Sequence, residues 1–335
     1  MKHNLPALPD GFIARNATLA DVEIAAQMGI DYAMATTGYS DIEADGLRNI
    51  WQSPGFDPER DVYLVFSPQG KIAGYMEVWS NSDTPVHPFV WAITAPEFQN
   101  LGIGSHMLAW GENHARRVFE LLPPDVRIAP MAGTPSVVKN AKELLTNNGW
   151  KHIRSSYTME IEMDAPPPAP VFPAELTIRT FQPADAHEVY RTVDESFSDH
   201  FGHVDQPFET GFERFSHNTM EDPLFDPNLW FIATSGDTFA GVCLCRAKSF
   251  DDPQAGYINI LGVRRPWRKH GLGLAFLNHA FGQFYRRGYK KVTLGVDAQN
   301  LTGALRLYEK AGMHIARQFD QYEKEFRPGR ELRVE

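Results

Sequence analysis

The chain is poor in cysteine and in long apolar runs. Its two cysteines among 335 residues, Cys243 and Cys245, are too few for a disulfide framework. Their spacing of two in an apparent strand also prevents them from bridging each other. No apolar run approaches the roughly 18 residues of a membrane span, and the first residues lack the apolar core of a signal peptide. We therefore expect a cytoplasmic protein with no membrane partner.

Positive charge is also in short supply. Lysine and arginine number 32 against 42 acidic residues, and the formal net charge is −10. This sign disfavours a broad nucleic-acid surface, so any anion site must be local. One basic cluster exists, with Trp267 interleaved, and a solvated surface is the simplest alternative for it. We expect no nucleic-acid partner. The cluster comprises Arg264, Arg265, Arg268, Lys269 and His270.

A proline-rich segment divides the chain nearly in half. Residues 164–173 read DAPPPAPVFP, and five prolines disfavour both helix and central strand. A long surface loop inside one domain is the alternative, but unstructured loops of this length are uncommon. The segment therefore predicts a linker between an N-terminal domain, 1–163, and a C-terminal domain, 174–335.

The two halves repeat one pattern. Each opens with an Ile-Arg strand and a helix-starting Asp, continues with a strand hairpin, and then has a strand that runs into a glycine turn and a helix. Matched landmarks are displaced by 163 to 169 residues. This indicates two copies of one α/β unit, each a mostly antiparallel sheet of its own strands flanked by helices. The pairs are Arg15/Arg179, Gly74/Gly241, Gln99/Arg268 and Gly149/Gly312.

The glycine turn of the second half suits an anion. An apparent strand ends at Val263, and the turn that includes Gly271 and Gly273 leads into a helix with apolar positions at helical spacing. Glycines let the backbone approach a ligand closely, and the unpaired amides at a helix start attract phosphate. A tight corner without a ligand is the commoner use of such a turn.

The motif residues together resemble the GNAT superfamily of acetyl-CoA dependent N-acetyltransferases. They are Val263, Arg268, Gly271, Gly273, Asn300, Tyr308 and Gly312, and the first half repeats the layout with Thr94, Gln99, Gly102 and Gly104. The resemblance covers essentially the entire chain. It implies an α/β (α+β) fold of two tandem GNAT-like domains, each with a mixed, mostly antiparallel sheet.

The resemblance also implies acetyl-CoA as cosubstrate. Its pantetheine arm would lie between two central strands and pair with main-chain groups of Leu261, Gly262 and Val263, near Asn300. Its pyrophosphate would lie on the turn made of Arg268, Lys269, His270, Gly271, Leu272, Gly273 and Leu274. A possible second cofactor site in the first half comprises Ile93, Thr94, Gln99, Gly102 and Gly104.

Tyr308 occupies the position of the family's general acid, where a phenol can protonate the departing thiolate. Without the resemblance, a core aromatic on an amphipathic helix is the better interpretation. Counting back from Gly149 by the same steps places Leu145 and Val137 where the first half needs Tyr and Asn. The first domain is therefore predicted to be catalytically degenerate and the second to be the working transferase.

The sequence identifies the general base poorly. Glu195 is the first choice, followed by Asp199 and His200, although a solvated acidic helix face or deprotonation by water explains the same pattern. His200 and His203 lack a third ligand of convincing spacing, so we expect no metal. Cys243 and Cys245 lack an evident partner base, which favours direct transfer over an acetyl-cysteine intermediate.

The leading hypothesis is an enzyme that moves acetyl from acetyl-CoA to a primary amine of a small molecule, as a monomer or homodimer. A CoA-binding regulatory protein without turnover and a protein or peptide N-acetyltransferase remain alternatives. The acceptor pocket is expected on the variable loops, here 34–51 and 197–215.

Overall fold

The computed structural model describes residues 4–334 apart from 39, 41, 83, 202, 250, 251 and 300–302, and describes only the backbone of Thr37. The chain divides into two compact units. The first comprises Met1–Arg154 and Phe319–Leu332, and the second comprises Ser155–Gln318 and Arg333–Glu335.

Strands account for much of both units. In chain order they are β1 (Ile13–Asn16), β2 (Val62–Phe66), β3 (Ile72–Trp79), β4 (Phe89–Thr94), β5 (Met131–Pro135), β6 (Lys151–Glu162), β7 (Thr177–Thr180), β8 (Trp230–Ser235), β9 (Thr238–Arg246), β10 (Ala255–Val263), β11 (Lys291–Asp297) and β12 (His314–Glu323).

Helices connect and cover the strands. In chain order they are α1 (Val22–Thr37), α2 (Ala44–Trp51), α3 (Pro58–Asp61), α4 (Ile103–Ala115), α5 (Lys139–Asn147), α6 (Ala186–Phe197), α7 (Phe208–Thr219), α8 (Leu272–Arg286) and α9 (Ala304–Lys310). None of the helices in the described ranges combines the length and apolarity needed to cross a membrane.

The sheet of the first unit has the strand order β1-β2-β3-β4-β5-β12. Its neighbours are antiparallel except β4 and β5, which are parallel and pair only at Phe89↔Met131 and Val90↔Ala132. Alternate residues of the strands form two apolar clusters. One includes Met107 of α4, and the other includes Val22 and Ala25 of α1.

The second unit repeats this arrangement with the order β6-β11-β10-β9-β8-β7. Here β10 and β11 form the parallel pair, and the other neighbours are antiparallel. Three phenylalanines of α8, Phe276, Phe281 and Phe284, are fully buried in one cluster. The other cluster contains Val189 of α6. The predicted mixed, mostly antiparallel sheets with flanking helices are confirmed.

The last strand of each half contributes to the sheet of the other unit. β6, from the first half, pairs with β11 from Lys291↔Glu162 to Asp297↔Ser156. β12, from the second half, pairs with β5 from Phe319↔Pro135 to Glu323↔Met131. This corrects the expectation that each half builds its sheet from its own strands. The compact units therefore do not coincide with 1–163 and 174–335, and residues 164–173, which contain no helix or strand, lie within the second unit.

The repeated Arg-Asp pairs stabilise the first turn of each unit. Arg15 donates two hydrogen bonds to Asp21, at 2.8 and 2.6 Å, and Arg179 donates two to Asp185, at 2.6 and 2.7 Å. Asp21 also accepts the backbone N–H of Thr18 at 2.8 Å. An Arg–Asp pair separated by six residues therefore links the edge strand to the start of the following helix in both units.

We expect Asp21→Asn to lower the free energy of unfolding at pH 7 by on the order of 1 kcal/mol, because a charged but partly exposed hydrogen bond is lost. Hydrogen bonding to Arg15 lowers the pKa of Asp21 from 3.8 to about 2. A lowered folded-state pKa stabilises the protein above the unfolded-state pKa, and this contribution is lost as the pH falls towards 2. Thermal unfolding between pH 2 and 7 should show the variant and the parent converging in acid. A constant difference would contradict the assignment.

Candidate active site

The glycine turn of the second unit leaves backbone amides available at the start of α8. Gly271 is the N-cap, with a φ of 86°, and the first helical bond runs from the N–H of Ala275 to its carbonyl at 3.0 Å. By helix geometry, the amides of Leu272, Gly273 and Leu274 have no partner within the helix. Together with the helix dipole, these amides give the turn the electrostatic character that suits an anion.

Glycine is required at the two motif positions for different structural reasons. A Cβ on Gly271 would meet nothing within 4 Å, so only its left-handed backbone demands glycine, and the space beside it is open. A Cβ on Gly273 would lie 2.9 Å from Leu307 Cδ2 on α9. Gly271 therefore leaves room for a ligand, while Gly273 lets α9 pack against α8.

The two parallel strands part beside this turn. The described ladder between β10 and β11 runs from Ala255↔Lys291 to Ile258↔Leu294 and is not continued by Leu261, Gly262 or Val263. These three residues still pair with β9, opposite Cys243, Val242 and Gly241. The second half of β10 therefore has no described pairing with β11, and this unpaired stretch is the place predicted for a pantetheine arm.

The basic cluster is engaged in ion pairs with the neighbouring helix. Buried Arg264 lies 2.8 Å from a carboxylate oxygen of Glu188 and 2.7 Å from one of Glu195. Arg268 donates to Asp199 at 2.9 Å. Lys269 and His270 are exposed. Arg265 is exposed too and lies 3.5 Å from Asp199. The cluster is therefore not a free basic surface, and its accessible donors for an anion are the amides of the turn together with Arg265, Lys269 and His270.

The candidate bases are largely committed to these arginines. The carboxylate of Glu195 is about half exposed but forms the ion pair with Arg264. Hydrogen bonding from Arg268 lowers the pKa of Asp199, which makes it a weaker base. Burial lowers the pKa of His200, which keeps its ring neutral to lower pH. Glu195 as the base stays a prediction, and its partner was not apparent in the sequence.

Tyr308 lies on α9, is 8% exposed and belongs to the apolar cluster that contains the phenylalanines of α8. Burial raises the pKa of its phenol to about 12, with smaller contributions from Cys243 on β9 and Tyr257 on β10. The hydroxyl therefore stays protonated throughout the neutral range and is available as a donor. Asn300, the other predicted residue of this motif, lies outside the described residues.

The turn of the first unit has the same backbone conformation. Asn100 and Gly102 have φ values of 63° and 83°, against 66° and 86° for Lys269 and Gly271. Gly102 is the N-cap of α4, and its carbonyl accepts the N–H of His106 at 3.0 Å. The second predicted cofactor turn therefore keeps its geometry although it lacks basic side chains.

A cavity of about 320 Å³ lies beside that first turn. Of the residues predicted for a second cofactor site, Thr94, Gln99, Gly102 and Gly104 line it, whereas Ile93 is buried in the cluster that contains α1. Leu145 is part of the wall, at the position that corresponds to Tyr308. The further lining residues that reasoning from the sequence missed include Tyr32 of α1, and Asn140, Glu143 and Asn147 of α5.

The cysteines form no acyl-transfer constellation. Cys243 and Cys245 are buried free thiols with their Sγ atoms 3.8 Å apart on one face of β9. Burial raises the pKa of Cys245, which disfavours a reactive thiolate. Within the described residues, no group of three or more His, Cys, Asp or Glu side chains has the geometry of a metal site.

Comparisons with known proteins identify a family for the chain. The model of the Acetyltransferase (GNAT) family matches residues 30–122 and 187–313. A mycothiol acetyltransferase of Thermobispora bispora is 27% identical over 301 residues, covering 87% of this chain and 95% of the relative. A mycothiol acetyltransferase of Rhodococcus erythropolis is 28% identical over 251 residues, covering 72% and 77%.

Two solved structures extend the likeness to the fold. A GCN5-related N-acetyltransferase from Sphaerobacter thermophilus is 33% identical, with a TM-score of 0.79 over 97% of this chain and 99% of that chain. A tandem GNAT protein from the clavulanic acid biosynthesis pathway is 15% identical, with a TM-score of 0.68 over 95% and 100%. The latter likeness concerns the fold alone.

Proposed function

The chain belongs to the GNAT family of acetyltransferases, and from this we propose that its second unit transfers acetyl from acetyl-CoA to the primary amine of a small molecule. The observation that carries the proposal is the conjunction of three features in one unit. They are the free amides at the start of α8, the parting of β10 from β11, and the protonated phenol of Tyr308.

These residues fit acetyl-CoA. The open space beside Gly271 and the amides from Leu272 to Leu274 suit its pyrophosphate. The unpaired edge of β10 from Leu261 to Val263 suits the amides of its pantetheine arm. When bound, acetyl-CoA supplies the activated acetyl thioester.

Transfer forms an amide C–N bond and breaks the thioester C–S bond, so the amine must lose a proton and the sulfur must gain one. Tyr308 is proposed to donate the hydrogen bond to the departing sulfur. Its pKa of about 12 makes it a weaker acid than a free thiol, with a pKa of about 8.5. Tyr308 therefore acts chiefly by stabilising the thiolate, which leaves as the C–S bond breaks and then takes its proton from solvent. Glu195 or water accepts the proton of the amine.

The first unit is proposed to bind a second acetyl-CoA without turnover. Its turn has the backbone conformation of the second turn, and Thr94, Gln99, Gly102 and Gly104 line an open cavity. Leu145 replaces the phenol and cannot donate a proton to a thiolate. The wall also contains Glu143, which makes this site less favourable for phosphates than the second.

The acceptor is proposed to be an amine of the kind used by mycothiol acetyltransferases, because several curated relatives carry that name. We expect purified protein to release free thiol from acetyl-CoA only when an amine is present. The panel should contain amine precursors of mycothiol, simple amino sugars, polyamines and peptides. Mass spectrometry should find one acetyl group added to the amine nitrogen.

Two outcomes would contradict this proposal. Coenzyme A binding without thiol release for any amine would favour a regulatory protein. Acetylation of peptides in preference to small amines would favour a protein or peptide N-acetyltransferase.

A further inference from the structure

The side chain of Arg268 connects three elements around the cofactor turn. Its Nε donates to the carbonyl of Val263, the last residue of β10, at 3.0 Å. One terminal nitrogen donates to Asp199 at 2.9 Å, and the other donates to the carbonyl of Ser196 at 2.9 Å. The guanidinium therefore faces the end of α6 rather than the amides at the start of α8.

The end of α6 packs closely on β10 at this corner. A Cβ on Gly262 would lie 3.2 Å from both Cβ and Oγ of Ser196, so glycine permits the approach. Ser196 is 4% exposed, and its hydroxyl has no hydrogen-bond partner among the described residues. The contact is thus fixed by packing and by Arg268, not by the serine side chain.

The first unit has the same fold without this connection. The position that matches Arg268 is Gln99, whose Oε1 accepts from Asn140 of α5 at 3.0 Å. The position 164 residues before Asp199 is Ala35, which cannot form an ion pair. Because the first unit folds with Gln and Ala at these places, the Arg268–Asp199 pair is not a requirement of the fold.

We propose that Arg268 is a positioning residue that connects the acceptor side of the second unit to its cofactor turn. Residues 197–215, which follow α6, are where the acceptor amine is expected, and Asp199 is the point at which Arg268 holds them. When cofactor is bound on the turn, Arg268 holds the end of α6 in place. The acceptor amine then binds to residues that are already ordered. The inference rests on the proposed function, and it reassigns the Arg268 side chain from phosphate binding.

The test uses Arg268→Gln, Asp199→Asn and the double variant in the full chain. Asp222→Asn is the matched control, because Asp222 pairs with Arg246 at 3.0 Å elsewhere in the same unit. Each single variant should raise KM for the best amine by about tenfold or more, with the Kd for coenzyme A within about twofold of the parent. The double variant should be no worse than the poorer single variant, because one connection is lost.

A second readout needs no amine. In the parent and in Asp222→Asn, coenzyme A should slow hydrogen exchange both at the turn and at the amides of α6. In Arg268→Gln it should slow exchange at the turn only, and in Asp199→Asn the effect at α6 should be smaller than in the parent, because the bond from Arg268 to the carbonyl of Ser196 remains. If the parent acetylates no amine, the proposed function fails while this readout still decides the coupling.

Three results would overturn the inference. Tenfold weaker binding of coenzyme A to Arg268→Gln, with Asp199→Asn unaffected, would make Arg268 a phosphate ligand. Equal losses of thermal stability with unchanged KM and unchanged exchange would make the pair merely structural. Additive effects in the double variant would show that the two residues act separately.

Discussion

Replacing Gly271 with valine should weaken coenzyme A binding to the second unit by about tenfold or more. Gly271 has a φ of 86°, which a β-branched residue adopts at a cost of about 1–2 kcal/mol, and its Cβ would enter the open space beside the turn. Both effects act where backbone amides are proposed to meet the pyrophosphate. Isothermal titration with coenzyme A measures the change directly.

Gly288 offers a matched control at the other end of the same helix. Its φ is 89°, and a Cβ there would also meet nothing within 4 Å. Gly288→Val should therefore lower thermal stability to a similar extent while leaving coenzyme A affinity within about twofold of the parent. Equal losses of coenzyme A affinity in both variants would mean that a general disturbance of α8, and not the turn, weakens binding. Unchanged affinity in Gly271→Val would contradict the assignment of the turn as the pyrophosphate site.

The same experiment separates the two units. Gly102, with a φ of 83° and open space at its Cβ, is the counterpart of Gly271 in the first unit. If both units bind coenzyme A, the parent should bind two equivalents, and Gly271→Val and Gly102→Val should each lose a different one. If the parent binds a single equivalent of coenzyme A and only Gly271→Val loses it, the first unit does not bind the cofactor and its role is structural.

The sequence predicted the repeated fold well because its signals are local. Strand periodicity, the Arg15–Asp21 spacing and the turn glycines each depend on neighbours within a few residues. The exchange of β6 and β12 was not predictable in this way. An alternating strand specifies which face is buried, but it does not specify which parallel or antiparallel neighbour completes the ladder.

The site was predictable to the same extent and for the same reason. Gly271 and Gly273 mark a turn by their backbone freedom, and Tyr308 follows from a motif. The partners of the charged residues are set by contacts between distant elements, such as Arg264 with Glu195, 69 residues apart in the chain. For that reason the sequence predicts Glu195 as the first choice of base without revealing Arg264, with which the structure pairs it.

The largest effect on turnover is expected from Tyr308→Phe. This change keeps the buried ring and removes only the hydroxyl, whose pKa shift arises first from burial and not from a hydrogen bond. We expect kcat to fall by on the order of tenfold to a thousandfold, with little change in the Kd for coenzyme A or in thermal stability. Because the phenol has a pKa of about 12, its ionisation should produce no loss of rate between pH 6 and about 10 in the parent.

Leu145→Ala tests the corresponding position of the first unit. Leu145 is 7% exposed within an apolar cluster, so its truncation should reduce the free energy of unfolding by about 2–5 kcal/mol. Below the melting temperature, its kcat per folded molecule should match the parent. The two variants therefore predict opposite patterns, a rate loss without a stability loss for Tyr308→Phe and a stability loss without a rate loss for Leu145→Ala. If Tyr308→Phe turned over like the parent while Leu145→Ala lost catalysis specifically, the first unit would be the active one, because the loss of kcat would then follow the position in the first unit that corresponds to the phenol.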